Sequence, residues 1–270
     1  MKTLRAELHC HTRASHDGFI TPSGLVASAL RHRLDAVAIT DHDTIGGALE
    51  FRDWMRRKNE PVEIIVGEER TLEDGCHLIG LFLEHPLSSK RLRDAVAEIH
   101  EQGGLALAPH PFRKDGLLGP VALGSPDRLA VDGYEVHNAK GSHENNQKAR
   151  EALALSTHGI FGGSDAHYEA DLGECVNIIE WRGDLRTTLR DMMRRASRFS
   201  ILAKPQHGGE EERRYASWYH AAKKIARIPA PLLPAAKQAY RLYWNHLRRA
   251  DNREPVTLVN SDELALPSHA

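Results

Sequence analysis

Short apolar runs alternate with amphipathic segments over about the first 200 residues of the chain. Most of these runs are almost continuously hydrophobic, which is typical of parallel strands that are covered on both faces. Helical periodicity separates most of them, so the pattern predicts an α/β fold with a largely parallel sheet. The predicted strands are 5–9, 36–40, 62–67, 77–83, 105–108, 133–136 and 160–163.

Capping residues mark the starts of several predicted helices. Thr21 and Pro22 have the residue types preferred at the N-cap and at the first helical position. Either Ser88 or Ser89 is expected to cap a second helix, and Asp184 a last one. Further helical patterns cover 45–58 and 149–153.

Seven strand–helix units in about 200 residues fit a closed or nearly closed barrel better than most other layouts. An open, doubly wound sheet is the alternative. The chain has no GxGxxG motif after its first strand and no P-loop, which disfavours the nucleotide-binding forms of that open sheet.

The character of the sequence changes after residue 204. We expect a barrel over 1–204, a basic and aromatic helical extension over 205–250, and a loosely ordered tail over 251–270. Residues 213–249 hold nine Lys/Arg and no Asp/Glu, interleaved with Tyr and Trp. Such a segment contacts an anionic membrane surface or a nucleic acid, or it packs its aromatic side on an acidic barrel. The sequence favours packing.

Overall composition adds few constraints. The chain has 270 residues, 27% of them charged, and a formal net charge of −1, so no global field points to a nucleic acid or a membrane. The three cysteines form no CxxC pair, which is typical of reduced thiols. There is neither a signal-peptide pattern nor a run of 18 apolar residues. We therefore expect a cytoplasmic protein.

Histidine occurs 17 times, and its positions suggest metal binding. His9 and His11 follow the first strand with a spacing of two, which places both imidazoles on one face. His, Asp or Glu also follows most of the other predicted strands, in the segments 40–43, 67–69, 109–111, 136–138 and 163–167.

In a β/α barrel, the carboxyl ends of the strands meet at one rim, where barrel enzymes carry their catalytic groups. Buried charges and imidazoles are costly without partners, so their repeated placement at strand ends is hard to explain structurally. The sequence therefore predicts a site for several metal ions at this rim.

These segments together resemble the polymerase and histidinol phosphatase (PHP) family. The matching motifs occur in family order within residues 1–170: HCHT (9–12), SHDG (15–18), TDHDT (40–44), GEE (67–69), PHP (109–111), EVHN (135–138) and GSDAH (163–167). The resemblance implies a distorted (β/α)₇ TIM-like barrel, here followed by the C-terminal helical extension. It also implies two or three divalent ions, Mn²⁺, Fe²⁺ or Zn²⁺.

The resemblance also implies a set of ligands. The first metal would be held by His9, His11, Glu68 and Asp165. Glu68 would bridge to a second metal with His110 and a further histidine, for which His137 is preferred over His143. The third would be held by Asp17, His42 and His167. Trinuclear members often have histidine at the position of Asp17, and a carboxylate there favours Mn²⁺ or Fe²⁺ over Zn²⁺.

Two other histidines have open roles. His77 stands at the amino end of its predicted strand, away from the expected rim, and has either a structural role or a place near the substrate. His16, beside Asp17, is a substrate-side group or a solvated loop residue.

The implied activity is hydrolysis of a phosphate ester by hydroxide generated at the metals. Asp17, His42 and His167 are candidate general acids if the third metal is absent. Arg113 and Lys114, which follow the PHP motif, are candidate phosphate clamps, and solvated loop charges are the alternative. The expected partner is a small phosphorylated substrate or a nucleotide, with a phosphodiester as a further option and no obligate protein partner.

Two other functions compete with this one. An amidohydrolase-type barrel also begins with HxH and ends with a strand Asp, but commonly uses a carbamylated lysine bridge, whereas the candidate bridge here is Glu68. The second is a non-catalytic PHP accessory module that serves a polymerase or a scaffold, which the apparently complete ligand set and the lack of a polymerase module disfavour.

Overall fold

The computed structural model describes residues 2–119, 130–153, 157–205 and 254–262, and the single positions 235, 238, 239 and 242. Within these ranges the strands are β1 (Thr3–Cys10), β2 (Ala36–Ile39), β3 (Glu63–Thr71), β4 (His77–Leu81), β5 (Leu105–Ala108), β6 (Gly133–Asn138), β7 (Gly159–Gly163), β8 (Cys175–Glu180), β9 (Phe199–Ala203) and β10 (Val256–Asn260). The helices are α1 (Pro22–His32), α2 (Gly46–Lys58), α3 (Leu92–Glu101), α4 (His143–Leu153) and α5 (Leu185–Met193).

The strands form one curled sheet in the order β10-β9-β8-β1-β2-β3-β4-β5-β6-β7. β1, β2 and β3 are parallel, as are β5, β6 and β7, and β4 is antiparallel to both of its neighbours. At the carboxyl end of the parallel strands, Cys10 forms a parallel bridge to Ala166, and the backbone amide of His11 donates to the Ala166 carbonyl at 2.8 Å. The chain after β7 therefore returns to β1.

A side chain completes the contact between β1 and β7 further down. The Asn177 amide donates to the carbonyls of Gly162 (2.8 Å) and Ala6 (3.2 Å) and accepts from the Gly162 amide (2.9 Å). It thus satisfies backbone groups that a neighbouring strand would otherwise pair. The carboxyl ends of the parallel strands consequently surround one opening, called the rim below.

The helices begin largely where their capping residues predict. The Thr21 side chain accepts from the Gly24 amide, and Asp184 caps α5 by accepting from Thr187. The expected cap at Ser88 or Ser89 is corrected. The Glu98 carboxylate accepts from the amides of both serines (2.9 and 3.0 Å), and α3 begins only at Leu92.

The seven predicted strands are found as β1 to β7, with one difference in direction. β3 and β4 are joined by a tight turn, which includes Gly75 at φ 82°, instead of by a helix. β4 therefore runs away from the rim, and its first residue, His77, pairs with Thr71 near the rim end of β3.

Three strands were not predicted. β8 and β9 are antiparallel additions beside β1, and β10 pairs with β9 at the edge of the sheet. Residues 256–260 are thus ordered, which corrects the expectation of a loosely ordered tail for that stretch. β10 was not predicted because it lies far along the chain from the other strands and its side chains are exposed or only partly buried. The basic extension at 213–249 lies outside the described residues except at the four single positions.

Two further expectations concern the cell compartment. Cys10, Cys76 and Cys175 are free and buried. No helix within the described ranges has the length and apolar content needed to span a bilayer. The cytoplasmic location stays a prediction.

Candidate metal centre

The Glu69 carboxylate, 1% exposed, lies at the centre of the polar side chains at the rim. Five imidazoles from four different strands or strand ends surround it. The distances from their ring nitrogens to its two oxygens are 3.3 Å (His9), 3.1 Å (His11), 3.5 Å (His42), 2.8 Å (His77) and 3.0 Å (His110). We call these six residues the Glu69 cluster.

The β1 histidines join this cluster to a second carboxylate. His9 and His11 point to the same side of β1, with their Nε2 atoms 3.2 Å apart. Both Nε2 atoms also lie near Asp165 Oδ1, at 3.6 and 3.4 Å. Asp165 follows β7 with φ 52°, an uncommon backbone conformation for a residue other than glycine that is often found at functional sites.

A third group lies beside His11. Asp17 Oδ2 is 3.2 Å from His167 Nε2 and 3.7 Å from His42 Nε2. The His11 ring stacks between those of His42 and His167, with centroid distances of 4.6 and 4.4 Å. This third group is therefore continuous with the Glu69 cluster.

These side chains form overlapping sets whose ligand atoms are close enough to hold a metal ion. Within the described residues the sets are His9–His11–Glu69, His9–His110–Asp165, His42–Glu69–His77 and His11–Asp17–His42–His167. The Nε2 atoms of His9 and His11 are 3.2 Å apart, close enough for one cation to bind both. Imidazole nitrogens with carboxylate oxygens suit Mn²⁺, Fe²⁺ or Zn²⁺, so the residues fit the expected metals.

The pKa values of the rim side chains are shifted in opposite directions for the histidines of β1 and for the carboxylates. Burial opposes the charge of His9, but Asp165, Glu135 and Glu69 outweigh it and raise the His9 pKa well above its usual value. The pKa of His11 rises to about 9 because hydrogen bonds to Asp165 and Glu69 outweigh burial. The pKa values of Glu69 and Asp165 fall well below normal for the reciprocal reason. The centre therefore holds ionised carboxylates ready to bind cations.

The predicted general acids are better suited to binding a metal. Burial lowers the pKa of His42 to about 4, so this imidazole is neutral at neutral pH. Burial would raise the pKa of Asp17, but His167, His11 and His42 outweigh it and hold that pKa well below normal. Near neutral pH His42 is thus not an imidazolium and Asp17 is ionised, so neither supplies an acidic proton, whereas each offers a lone pair to a metal.

Glu68, expected as the bridging ligand, lies outside this centre, and the assignment is corrected to Glu69. Successive strand side chains point to opposite faces, so only one of the two glutamates can face the rim interior. Glu68 points outward, where its carboxylate accepts from the Leu87 amide at 3.0 Å and lies 3.7 Å from Arg70.

His137, the preferred sixth-strand ligand, is also outside the metal-capable sets, as is its alternative His143. A bulge causes this: Glu135 pairs with Phe161 and His137 with Gly162, so β6 holds an extra residue. The extra residue breaks the alternation of side chains. Asn138 takes the inward position, and its Nδ2 lies 3.3 Å from Asp165 Oδ2.

His77 was expected to have either a structural role or a place near the substrate. It lies beside Glu69, in the position expected for the further histidine of the second metal. The reversed direction of β4 brings its amino end to the rim. A short hairpin could have been recognised from the Asp74-Gly75 turn signal between two apolar runs.

Three other predicted groups lie around the centre. The Arg113 side chain, 31% exposed, donates to Asp165 Oδ2 (3.1 Å), His110 Nε2 (2.8 Å) and Asp115 Oδ1 (2.6 Å). It therefore borders the metal centre. Lys114 is exposed, and the His16 side chain is 75% exposed with its Nε2 3.6 Å from Asp17.

Comparison with known families and proteins identifies relatives of this chain. A family model described as PHP domain matches residues 7–156, and one described as PHP-associated matches 143–195. An uncharacterised protein of Methanocaldococcus jannaschii is 34% identical over 150 residues, which are 50% of this chain and 82% of that protein. The 5'-3' exoribonuclease Rnm of Escherichia coli is 32% identical over 132 residues. That match covers 47% of this chain and 43% of the exoribonuclease, so the chain spans less than half its length.

The fold is also similar to that of a solved structure. A two-domain protein from Bacteroides vulgatus, described as containing a predicted PHP-like metal-dependent phosphoesterase, aligns with a TM-score of 0.59 and 22% identity. The alignment covers 79% of this chain and 69% of that protein. At this identity, the likeness concerns the fold alone.

Proposed function

Because this chain belongs to the PHP domain family, we propose that it is a metal-dependent phosphoesterase, built on a distorted (β/α)₇ TIM-like barrel with β4 reversed. The observation that carries the proposal is the Glu69 carboxylate, which two sets of imidazoles approach from its two oxygens. A carboxylate shared in this way is typical of centres with two adjacent metals.

The residues divide among two or three divalent ions, Mn²⁺, Fe²⁺ or Zn²⁺. The first ion is assigned to His9, His11, Glu69 and Asp165. The second is assigned to Glu69, His77 and His110. A third is assigned to Asp17, His42 and His167. Metal-capable sets contain His9, His11 and Glu69 for the first ion and Asp17, His42 and His167 for the third. Asp165 joins the first through its contacts with His9 and His11. The second assignment rests on the contacts of His77 (2.8 Å) and His110 (3.0 Å) with Glu69 Oε1.

The bound metals would supply Lewis acidity and lower the pKa of water, which makes hydroxide available near neutral pH. The chain itself orients the phosphate. Arg113 has a planar guanidinium at the edge of the centre, and such a group binds two phosphate oxygens at once. The low pKa values of Asp17 and His42 support ligand roles for them, so His167 is the candidate acid only in a centre that lacks the third ion.

The rival functions have less support. An amidohydrolase centre of the lysine-bridged kind needs a lysine amine where this chain has the Glu69 carboxylate. A non-catalytic accessory module has no need of several overlapping sets of potential metal ligands, such as those at the rim of this chain.

For the substrate, we propose a phosphate ester at the end of a nucleotide or of a short single-stranded RNA. Similarity to the 5'-3' exoribonuclease Rnm supports this choice. The phosphomonoester of a small metabolite is the second candidate, since it presents the same phosphate group to the metals and to Arg113.

The test is hydrolysis by the purified protein with Mn²⁺ added. The panel contains a 5'-phosphorylated RNA oligonucleotide, mononucleotides, a chromogenic phosphomonoester and a set of amides and lactones. We expect release of phosphate or of mononucleotides, abolished by Asp165→Asn. Turnover confined to the amides or lactones, or phosphate-ester hydrolysis unchanged in Asp165→Asn, would contradict the proposal.

A further inference from the structure

We propose that β6 positions the metal ligands through Glu135 and Asn138, neither of which is itself a ligand. This inference rests on the proposed metal centre. It assigns a role to the strand that was expected to deliver His137, and it concerns three ligands from three other strands: His9, His110 and Asp165.

The Glu135 carboxylate, 1% exposed, contacts groups on two strands besides its own. Its Oε1 lies 3.1 Å from His9 Nδ1, and its Oε2 accepts from the His110 backbone amide at 2.6 Å. A carboxylate on Nδ1 favours the tautomer that carries the proton there, which leaves Nε2 free for a metal. The Nε2 atom of His9 is the one that faces Glu69, His11 and Asp165.

The backbone of His110 is held by the same carboxylate. His110 has φ 30°, which is unfavourable for a residue with a Cβ atom. Such a conformation persists only where the surroundings fix it. The short hydrogen bond from its amide to Glu135 is one contact that does so, and it orients the imidazole whose Nε2 lies 3.0 Å from Glu69.

Asn138 extends these contacts to the seventh strand. Its Nδ2 donates to Glu135 Oε2 at 2.8 Å and to Asp165 Oδ2 at 3.3 Å, so one amide lies between two carboxylates. Its backbone is fixed from α4: Asn146 Oδ1 accepts from the Asn138 amide (2.9 Å), and Asn146 Nδ2 donates to the Asn138 carbonyl (2.8 Å). Asn138 therefore holds Asp165 relative to Glu135.

The bulge in β6 makes this arrangement possible. Residues 135 and 138 are three apart, and in a regular strand they would point to opposite faces. The extra residue between Glu135 and His137 shifts the alternation, so that both side chains face the interior. The same shift turns His137 away from the rim.

The test measures Mn²⁺ binding to EDTA-treated protein by calorimetry, alongside kcat/KM at several Mn²⁺ concentrations. The variants are Glu135→Gln and Asn138→Ala. Glu68→Gln is the matched control, because Glu68 is an equally buried strand glutamate that points away from the centre. Loss of an outer partner of a metal ligand typically weakens metal affinity by about 10–100-fold.

We expect both variants to bind Mn²⁺ about 10–100-fold more weakly, with kcat/KM largely restored by excess Mn²⁺ and with Glu68→Gln unchanged. If Glu135 and Asn138 had only a structural role, their substitution would lower the melting temperature of the metal-free protein and leave the Mn²⁺ affinity of the folded protein unchanged. That result would overturn the inference. If Glu135→Gln does not fold, Asn138→Ala alone decides in the same way. A wild-type protein that binds no divalent metal would overturn both this inference and the proposed function, whereas normal metal binding without hydrolysis would overturn only the latter.

Discussion

Two adjacent buried glutamates in β3 have opposite electrostatic surroundings. Burial raises the pKa of Glu68 to about 7, and the Leu87 amide and Arg70, 3.7 Å away, offset this rise only in part. Glu69 is as buried, but the imidazoles around it hold its pKa well below normal. Burial therefore does not reveal which glutamate is functional. The neighbours that the fold brings to each carboxylate decide it.

Replacing Glu69 with glutamine tests whether Glu69, and not Glu68, is the metal ligand of β3. Glu69→Gln removes the charge shared by the first two metal sets, so we expect Mn²⁺ affinity and phosphate-ester hydrolysis to fall by more than roughly 100-fold, since even outer partners are worth 10–100-fold. Calorimetry and a phosphate-release assay measure the two effects. If Glu68→Gln loses as much Mn²⁺ affinity and hydrolysis as Glu69→Gln, the side of β3 on which a glutamate lies does not determine which one binds the metal.

His32, the last residue of α1, should make the free energy of unfolding depend on pH. Burial, with help from Lys204, Arg31 and Arg5, lowers its pKa to about 4 from the usual 6.5. Between these two values the unfolded chain binds more protons than the folded one, so stability is complete above pH 6.5 and declines as the pH falls toward 4.

The expected result is a smaller loss of melting temperature between pH 7.5 and 5.0 for His32→Gln than for the wild type. Both proteins are measured with EDTA present, so that metal release at low pH does not contribute. An identical loss in the two proteins would mean that His32 is protonated in the folded state as readily as in the unfolded one.

At the scale of elements, the sequence predicts what its periodicity encodes and misses what depends on strand register. The seven apolar runs and the Thr21 and Asp184 caps are found as expected. Strands that are apolar on both faces do not show which way each residue points, so neither the Glu69 face nor the bulge before His137 was readable. The reversal of β4 that brings His77 to the rim is different, because the Asp74-Gly75 turn signal encodes it in the sequence.

The close packing of β6 on β7 leads to a prediction for Gly163. An added Cβ there would lie 2.1 Å from Glu135 Oε1 and 2.7 Å from His9 Cβ. We expect Gly163→Ala to displace both groups, with a loss of about 1–3 kcal/mol of folding free energy and weaker Mn²⁺ binding. Urea unfolding and calorimetry measure these losses.

Gly46→Ala is the control for this substitution, because the nearest side-chain atom to its added Cβ is Thr44 Oγ1, at 3.2 Å, a looser contact than those at Gly163, and alanine favours a helix. It should leave stability unchanged or slightly improved. Wild-type stability and metal binding in Gly163→Ala would mean that Glu135 moves without consequence, contrary to the positioning role.

For the molecule as a whole, charge is nearly balanced but unevenly distributed along the chain. The net charge is −1, yet residues 213–249 carry nine Lys/Arg and no Asp/Glu. Packing of this extension on the barrel and contact with an external polyanion both account for that composition. Single-stranded RNA, the substrate proposed above, is the polyanion to test.

Neutralising part of the extension tests this hypothesis. If it contacts RNA, changing Lys223, Lys224 and Arg227 to glutamine should weaken binding of a 5'-phosphorylated single-stranded RNA. It should also reduce the slope of log K against log salt by about 0.7 for each lost phosphate contact. Fluorescence anisotropy in EDTA measures binding without hydrolysis, and sedimentation with anionic vesicles tests for lipid contact instead.

The control replaces three exposed basic residues at the carboxyl end of α2, Arg56, Arg57 and Lys58, with glutamine. The chain leaves this helix toward the start of β3, so these residues lie at the end of the sheet opposite the rim. Equal losses in both triple variants would indicate non-specific attraction. Unchanged RNA binding in the 223–227 variant, with a lower melting temperature, would show that the extension packs on the barrel, and substrate would then be selected by the rim alone.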